Sequence, residues 1–180
     1  MKSHDKKNIT AIVIVAALGY FVDVYDLILF SVVRKPSLAS LGITGDAQLN
    51  IGVQLLNWQM AGMLIGGILW GILGDKKGRI SVLFGSIFLY SAANIANGFV
   101  QDIPMYSFLR FIAGVGLAGE LGAGITLVSE VMSKEARGWG TTIVATVGLM
   151  GAVVAALIAN KFDWRISYFI GGAMGLVLLI

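Results

Sequence analysis

Six long apolar segments, separated by short polar connections, are the feature that most constrains how this chain can fold. A helix of about 20 apolar residues is needed to cross the hydrocarbon core of a bilayer. Helices are favoured there because they satisfy their own backbone hydrogen bonds, which water cannot do inside lipid. The sequence therefore predicts an all-α membrane protein with six transmembrane helices. Their expected bounds are 9–33, 51–73, 80–100, 106–132, 139–160 and 164–180.

The composition excludes several other classes of protein. Hydrophobic residues make up 57% of the chain and charged residues 13%, which is too little polar surface to enclose a soluble core of this size. The net charge is only +3, and no Lys/Arg tract interleaved with aromatic residues suggests a nucleic-acid partner. The chain has no cysteine and a single histidine, His4, so we expect no metal site, no cofactor and no enzymatic activity.

The first apolar segment and the distribution of basic residues predict location and orientation. That segment is about 25 residues long and has no small-residue cleavage site, so it is expected to span the plasma or inner membrane rather than to be removed. The connections 1–8, 74–79 and 133–138 hold eight Lys/Arg, whereas 34–50, 101–104 and 161–165 hold four. Because basic residues stay inside, the N-terminus is predicted to be cytoplasmic.

Charged residues within the apolar segments are the strongest candidates for function. Asp23 and Asp26 lie three residues apart and therefore share one face of helix 1. Each is expected to cost about 2.5–3.5 kcal/mol in a membrane. Counting along helix 4 at 1.5 Å per residue puts Arg110 at the depth of both aspartates, whereas Glu120 lies deeper toward the cytoplasm. Three acids and one cation predict that at least one acid binds and releases a proton.

Structural explanations of these polar residues also fit the sequence. Arg110 and one aspartate would form a static pair that locks helices 1 and 4. Seven further polar residues in the apolar segments could bind a substrate or could simply connect helices. They are Tyr20, Tyr25, Gln54, Asn57, Gln59, Asn94 and Asn97.

Three motifs resemble the major facilitator superfamily. The string "GILGDKKGRI" is similar to the family's loop between helices 2 and 3, with matching residues at Gly71, Asp75, Gly78 and Arg79. Ile80 stands where the family usually has another basic residue. The string "RFIAGVG" resembles the family's Arg-x-x-x-Gly-x-Gly motif and contains Arg110. The string "SEVMSKEARG" resembles its helix 4–5 connection, where the matching residues are Glu130 and Arg137.

The resemblance implies a fold, a missing partner and an activity. Residues 1–180 would be the N-terminal transmembrane half of a twelve-helix transporter, built from three-plus-three inverted repeats and facing an absent C-terminal six-helix half. The sixth segment has no polar flank, which predicts that the chain stops within or at the end of helix 6. The strings "GYFVDVYDL" and "GVGLAGELGAGIT" look most like the phosphate:proton symporters and their organic-acid and sugar-porter relatives.

These observations together predict a proton-coupled symporter of a small anionic or polyhydroxylated solute, such as phosphate, an organic acid or a sugar. The expected partners are that solute, protons and the lipid bilayer. Two alternatives stay open: an uncoupled uniporter or exchanger, and a receptor or assembly subunit that has kept the fold without transporting. The acidic residues favour a transporter, because a receptor has no need of titratable groups at membrane depth.

Overall fold

The computed structural model describes the backbone of residues 3–131 and 137–179, and the side chains of 13–120 and 138–179. These residues form six helices, which confirms the predicted fold class. They are α1 (Ser3–Ser40), α2 (Asp46–Lys77), α3 (Arg79–Asn97), α4 (Ile103–Val131), α5 (Arg137–Lys161) and α6 (Trp164–Val177).

Four segments of the described residues are long and apolar enough to cross a membrane. They are Val13–Ser40, Asp46–Lys77, Arg79–Asn97 and Gly138–Lys161. Helix α6 has 14 residues and ends at Val177, whereas the sequence predicts a helix that continues to residue 180. The side chains of α4 beyond Glu120 lie outside the described residues.

Helices α1 and α2 are longer than the sequence predicts. Helix α1 is expected to end at residue 33 but continues through Pro36 to Ser40. Proline cannot donate to the carbonyl one turn earlier, yet this turn is supported by the Ser37 hydroxyl, which donates to the Arg34 carbonyl at 3.0 Å. The chain then turns at Gly42 and Gly45, both with positive φ, a conformation that glycine adopts without strain. The predicted loop 34–50 is thus reduced to a short turn.

Close backbone contacts hold the bundle together. Helix α4 packs against α2, α3 and α1, while α1 also packs against α5 and α6. A Cβ atom on Gly62 would overlap the Phe111 carbonyl oxygen, and one on Gly114 would overlap the Gln59 carbonyl oxygen. Glycine at such crossings lets helices approach closely where lipid provides no hydrophobic drive for association. Helices α1 and α4, which carry the candidate charged residues, thus each pack against several other helices of the bundle.

Candidate functional site

An ion pair between Arg110 of α4 and Asp26 of α1 lies at the centre of the bundle. The Arg110 Nη1 atom donates to Asp26 Oδ1 at 3.2 Å, and Nη2 donates to Asp26 Oδ2 at 3.0 Å. Both side chains have no exposed surface. The parallel arrangement of two donors on two acceptors is the strong form of the arginine–carboxylate interaction. The structure therefore brings together two of the four charged residues that the sequence singles out.

Gln59 of α2 closes a ring with this ion pair. Its Nε2 atom donates to Asp26 Oδ2 at 3.1 Å, and its Oε1 atom accepts a hydrogen bond from Arg110 Nη2. Gln59 is completely buried, so its amide bonds to the ion pair and does not contact solvent. The Arg110 Nε atom has no acceptor among the described residues. Three helices thus meet at one polar cluster, in which the Arg110 Nε atom is left without a partner.

Aromatic rings cover the Arg110 guanidinium. Its Cζ atom lies 4.4 Å from the centre of the Phe30 ring and 5.7 Å from that of Tyr168. Cations are attracted to aromatic faces at such distances, more strongly where water is excluded. The Tyr168 hydroxyl shares a hydrogen bond of 2.8 Å with Tyr106, whose hydroxyl lies 3.3 Å from the Ser37 hydroxyl. These contacts hold the rings in place with side chains from α1, α4 and α6.

Asp23 and Glu120 form a second site, separate from the ion pair. Their carboxyl groups lie within hydrogen-bonding reach of each other, and the residues are only 3% and 2% exposed. None of their four carboxyl oxygens has a hydrogen-bond donor in the part of the chain that the structure describes. Gly19 makes room for the pair, since a Cβ atom there would lie 2.8 Å from Glu120 Oε1. A proton held between the two carboxyl groups would supply the missing donor.

The structure therefore divides the four predicted charged residues into two sites. The sequence places Arg110 at the depth of both aspartates, and in the structure Asp26 is the one that pairs with the arginine. A step of three residues rises 4.5 Å along α1, and that step is enough to bring Asp23 to Glu120. The sequence places Glu120 deeper toward the cytoplasm than both aspartates, whereas the structure brings it to Asp23.

The stretch that resembles the family's loop between helices 2 and 3 forms the turn between α2 and α3. Arg79 Nη2 lies 3.1 Å from Asp75 Oδ1, and the side chains are 33% and 73% exposed. Gly78 has a φ of +87°, a left-handed conformation that disfavours any side chain. Gly71 lies one helical turn before Asp75 and has no atom within 4 Å of the place its Cβ would occupy. The side chains of Glu130 and Arg137 lie outside the described residues.

Several residues of the ion-pair site are not recognisable as such from the sequence. Gln59 stands out only as one of seven polar residues in apolar segments. Phe30, Tyr106 and Tyr168 give no signal, because an aromatic residue in a transmembrane helix usually packs against lipid or another helix. Their arrangement around Arg110 depends on how the helices are rotated.

This six-helix bundle, with charged side chains enclosed within it, is that of a polytopic membrane protein. It matches the structure of the proton:xylose symporter XylE with a TM-score of 0.84 at 18% sequence identity, over 97% of this chain and 44% of that one. Residues 16–180 match the family model of the Major Facilitator Superfamily. The chain belongs to this superfamily and is part of a multi-pass membrane protein.

Two proteins of related sequence show which members of the family the chain resembles. A putative metabolite transport protein of Haemophilus influenzae is 35% identical over 164 residues, which cover 87% of this chain and 38% of the relative. The sialic acid transporter NanX of Escherichia coli is 30% identical over 160 residues, with the same coverage of each chain. The chain thus spans less than two fifths of the length of either relative.

Proposed function

We propose that the chain is the N-terminal half of a secondary transporter that couples uptake of a small anionic or polyhydroxylated solute to proton entry. The observation that carries the proposal is the separation of an ion pair from a pair of acids. Arg110 and Asp26 neutralise each other, whereas Asp23 and Glu120 have no cation within reach among the described residues. A site of this second kind gains a proton more readily than it holds two charges.

Burial makes two negative charges on Asp23 and Glu120 unfavourable. Two ionised carboxylates within hydrogen-bonding reach would repel each other in a region that excludes water, where charges are poorly screened. One bound proton removes a charge and supplies a donor. Loss of that proton requires a change in surroundings, such as entry of water or movement of α1 against α4. Alternating access provides such a change in each cycle.

The proposed substrate class is based on the solutes that similar proteins carry. One carries sialic acid, a polyhydroxylated anion, and the structural neighbour is a xylose symporter. The Arg110 Nη atoms are already occupied by Asp26 and Gln59. We therefore assign Arg110 chiefly to the ion pair, with its Nε atom, which has no partner among the described residues, as a donor for an anion. The second half of the carrier would provide the rest of the solute site.

The proposal also includes the orientation of the chain in the membrane and a gate at its cytoplasmic face. The basic connections favour a cytoplasmic N-terminus in the inner membrane. The Asp75–Arg79 pair then lies at the cytoplasmic face, where its exposed carboxylate would accept hydrogen bonds from a helix N-terminus of the second half. This contact would hold the cytoplasmic side closed while the carrier faces outward.

Transport in liposomes tests the coupling. The full-length protein is reconstituted, and accumulation of labelled solute is measured with and without an imposed pH gradient, alongside exchange of preloaded solute. Asp23→Asn and Glu120→Gln should abolish gradient-driven accumulation and spare exchange, because exchange moves no net proton. Asp46→Asn is the matched control, since Asp46 is an exposed acid in the first turn of α2.

The same measurements separate the alternatives. Accumulation that survives in both single variants and in the double variant would remove the proton-carrier role from Asp23 and Glu120. Exchange without gradient-driven accumulation in the unmodified protein would indicate an uncoupled exchanger. Absence of any flux for phosphate, organic acids and sugars, together with ligand-induced thermal stabilisation, would indicate a receptor.

A further inference from the structure

A cavity of about 500 Å³ lies between α2 and α4. Gln54 and Trp58 line it from α2, and Ser107, Phe108 and Phe111 line it from α4, with aliphatic side chains in between. No charged side chain belongs to the lining, so the cavity is distinct from the ion pair and from the acid pair. Small-molecule sites typically have about this volume, with mostly apolar walls and a few polar groups.

Aromatic rings form much of the cavity wall. The rings of Trp58 and Phe111 meet edge to face, with their centroids 6.2 Å apart and their planes at 84°. The helices cannot slide apart easily here, since a Cβ atom on Gly62 would overlap the Phe111 carbonyl oxygen. Phe108 adds a third ring, which is 62% exposed. Ring faces set at a right angle favour a planar aromatic ligand, which stacks on one ring and meets the edge of another.

The Ser107 hydroxyl lies at this cavity without a partner. Ser107 is only 8% exposed, and its hydroxyl makes no hydrogen bond with another described residue. Serines elsewhere in the bundle behave differently, because the Ser31 and Ser86 hydroxyls donate to carbonyls of the preceding turn at 3.1 and 2.9 Å. A buried hydroxyl without a partner is unfavourable. A ligand in the cavity would provide the missing acceptor.

The exposed side of α2 beside the cavity is too polar to face lipid. Gln54 and Asn57 are both exposed and lie one turn apart. Gln54 is about 12 Å along the helix from Asp46, well inside a segment long enough to cross a membrane. Amides in contact with hydrocarbon would lack hydrogen-bond partners. A lipid chain in the cavity would also leave the Ser107 hydroxyl unpaired, so the cavity is better suited to a solute.

The lining selects one chemical class of solute. A sugar carries more hydroxyl groups than two polar side chains can pair, and each unpaired group is costly. Phosphate is normally bound by cations, which this lining lacks. An aromatic carboxylate fits better, because its ring matches the aromatic walls and its two oxygens accept hydrogen bonds, which a serine hydroxyl and a glutamine amide can donate. Benzene fits a cavity of about 150 Å³, so this one has room for a ring and its substituents.

We propose that the α2–α4 cavity binds an aromatic carboxylate, with its ring against Trp58 and Phe111 and its carboxylate accepting hydrogen bonds from Ser107 and Gln54. This narrows the solute class of the proposed function. The statement that the bound molecule is also the transported one rests on that function. Binding itself requires no proton coupling and is tested separately.

Two carboxylates of similar size test the role of the aromatic walls. Benzoate has a flat ring, whereas cyclohexanecarboxylate has the same charge and a saturated ring. Binding of each to the full-length protein in nanodiscs is measured by isothermal titration calorimetry. Benzoate should bind about 2- to 12-fold more tightly, the range expected from aromatic contacts. Equal or weaker binding of benzoate, or no binding of either compound, would overturn the proposal.

Ser107→Ala tests the polar end of the site. The affinity for benzoate should fall roughly tenfold, because a hydrogen bond to a carboxylate is lost. The Tm should stay within about 2 °C of the unmodified value, since the hydroxyl bonds to no described residue. Ser31→Ala is the matched control, at an exposed position of α1, and should bind benzoate as the unmodified protein does. An unchanged affinity in Ser107→Ala would refute the site.

Cross-linking identifies the occupant of the cavity. A photoactivatable phenylalanine analogue at position 108 is irradiated in nanodiscs with and without benzoate. Benzoate should reduce any cross-link to lipid or to the second half of the carrier. A cross-link to either that benzoate leaves unchanged would show a different occupant and overturn the proposal.

Uptake of labelled benzoate into liposomes separates this inference from the proposed function. If benzoate binds as described but does not cross the membrane, and no other solute does, the proposed function fails and the binding site stands. If phosphate or a sugar accumulates under a pH gradient while benzoate does not bind, the aromatic site is refuted and the proposed function stands.

Discussion

Asp23 and Asp26 lie one helical turn apart on α1, yet their carboxyl groups contact different partners. Asp26 is paired with Arg110, and Asp23 lies against Glu120. The first contact joins opposite charges, and the second joins groups of the same type. One turn of α1 therefore carries two carboxyl groups. One is paired with a cation, and the other has another carboxyl group as its neighbour.

Removal of the Arg110 side chain should be strongly destabilising. Arg110→Ala leaves the Asp26 carboxylate and the Gln59 amide buried without their partner, and breaking a buried ion pair in this way costs about 3–5 kcal/mol. The free energy of unfolding in detergent provides the measurement. The double variant Arg110→Met with Asp26→Leu removes both charges and should recover most of the stability. A double variant less stable than Arg110→Ala would show that the pair does not act as a unit.

Alanine substitutions at the glycines of the α2–α4 crossing should lower stability, whereas substitutions at glycines that face outward should not. In Gly114→Ala the new methyl group would overlap the Gln59 carbonyl oxygen, so we expect a loss of about 1–3 kcal/mol from forced displacement of the helices. Gly67→Ala on α2 is the control, because nothing lies within 4 Å of its Cβ position. That variant should be as stable as the unmodified protein or up to about 1 kcal/mol more so. Equal Tm values for the two variants would contradict the close crossing.

The orientation of the chain is measurable by labelling single cysteines. The chain contains no cysteine of its own, so Lys77→Cys and Thr44→Cys introduce unique thiols into it at opposite ends of α2. An impermeant maleimide added to intact cells should modify position 44 and spare position 77, because the basic α2–α3 turn is predicted to be cytoplasmic. Permeabilised cells, in which both positions react, are the control. The reverse pattern in intact cells would invert the proposed topology.

Neutralising the exposed acid of the α2–α3 turn should change transport without changing stability. The Asp75–Arg79 pair is exposed to solvent, and such pairs contribute about 0–1 kcal/mol. Asp75→Asn should therefore leave the Tm within about 2 °C of the unmodified value, while transport slows because the proposed cytoplasmic gate is weakened. Initial uptake rates at equal expression are compared, with Asp46→Asn as the control. An unmodified rate in Asp75→Asn would exclude the gate.

Much of the fold follows from local properties that the sequence displays. Length and apolarity are enough to locate six helices, and the basic excess around Lys77 distinguishes the two sets of turns. The predicted end of α1 at residue 33 is wrong because it marks the end of the apolar segment before Arg34, whereas the helix continues through Pro36 to Ser40. No periodicity in the sequence reveals that continuation.

The candidate site is only partly predictable for a different reason. Depth along a helix follows from counting residues, and counting puts Arg110 at the depth of both aspartates without selecting Asp26. Rotation of one helix about its axis relative to another depends on every contact between them, which is why counting does not predict the pairing of Asp23 with Glu120. Gln59 illustrates the same limit, since only the α2–α4 crossing at Gly114 brings its amide to Arg110.

The enclosure of Asp23 and Glu120 within the bundle has an electrical consequence. A proton that reaches them from either surface crosses part of the membrane potential, which acts on one elementary charge with about 2.3 kcal/mol per 100 mV over the full thickness. Occupancy of the acid pair would then depend on voltage as well as on proton concentration. In an energised cell, a negative interior would itself help to load the pair from outside, so that the carrier would draw on both components of the proton-motive force at a single site.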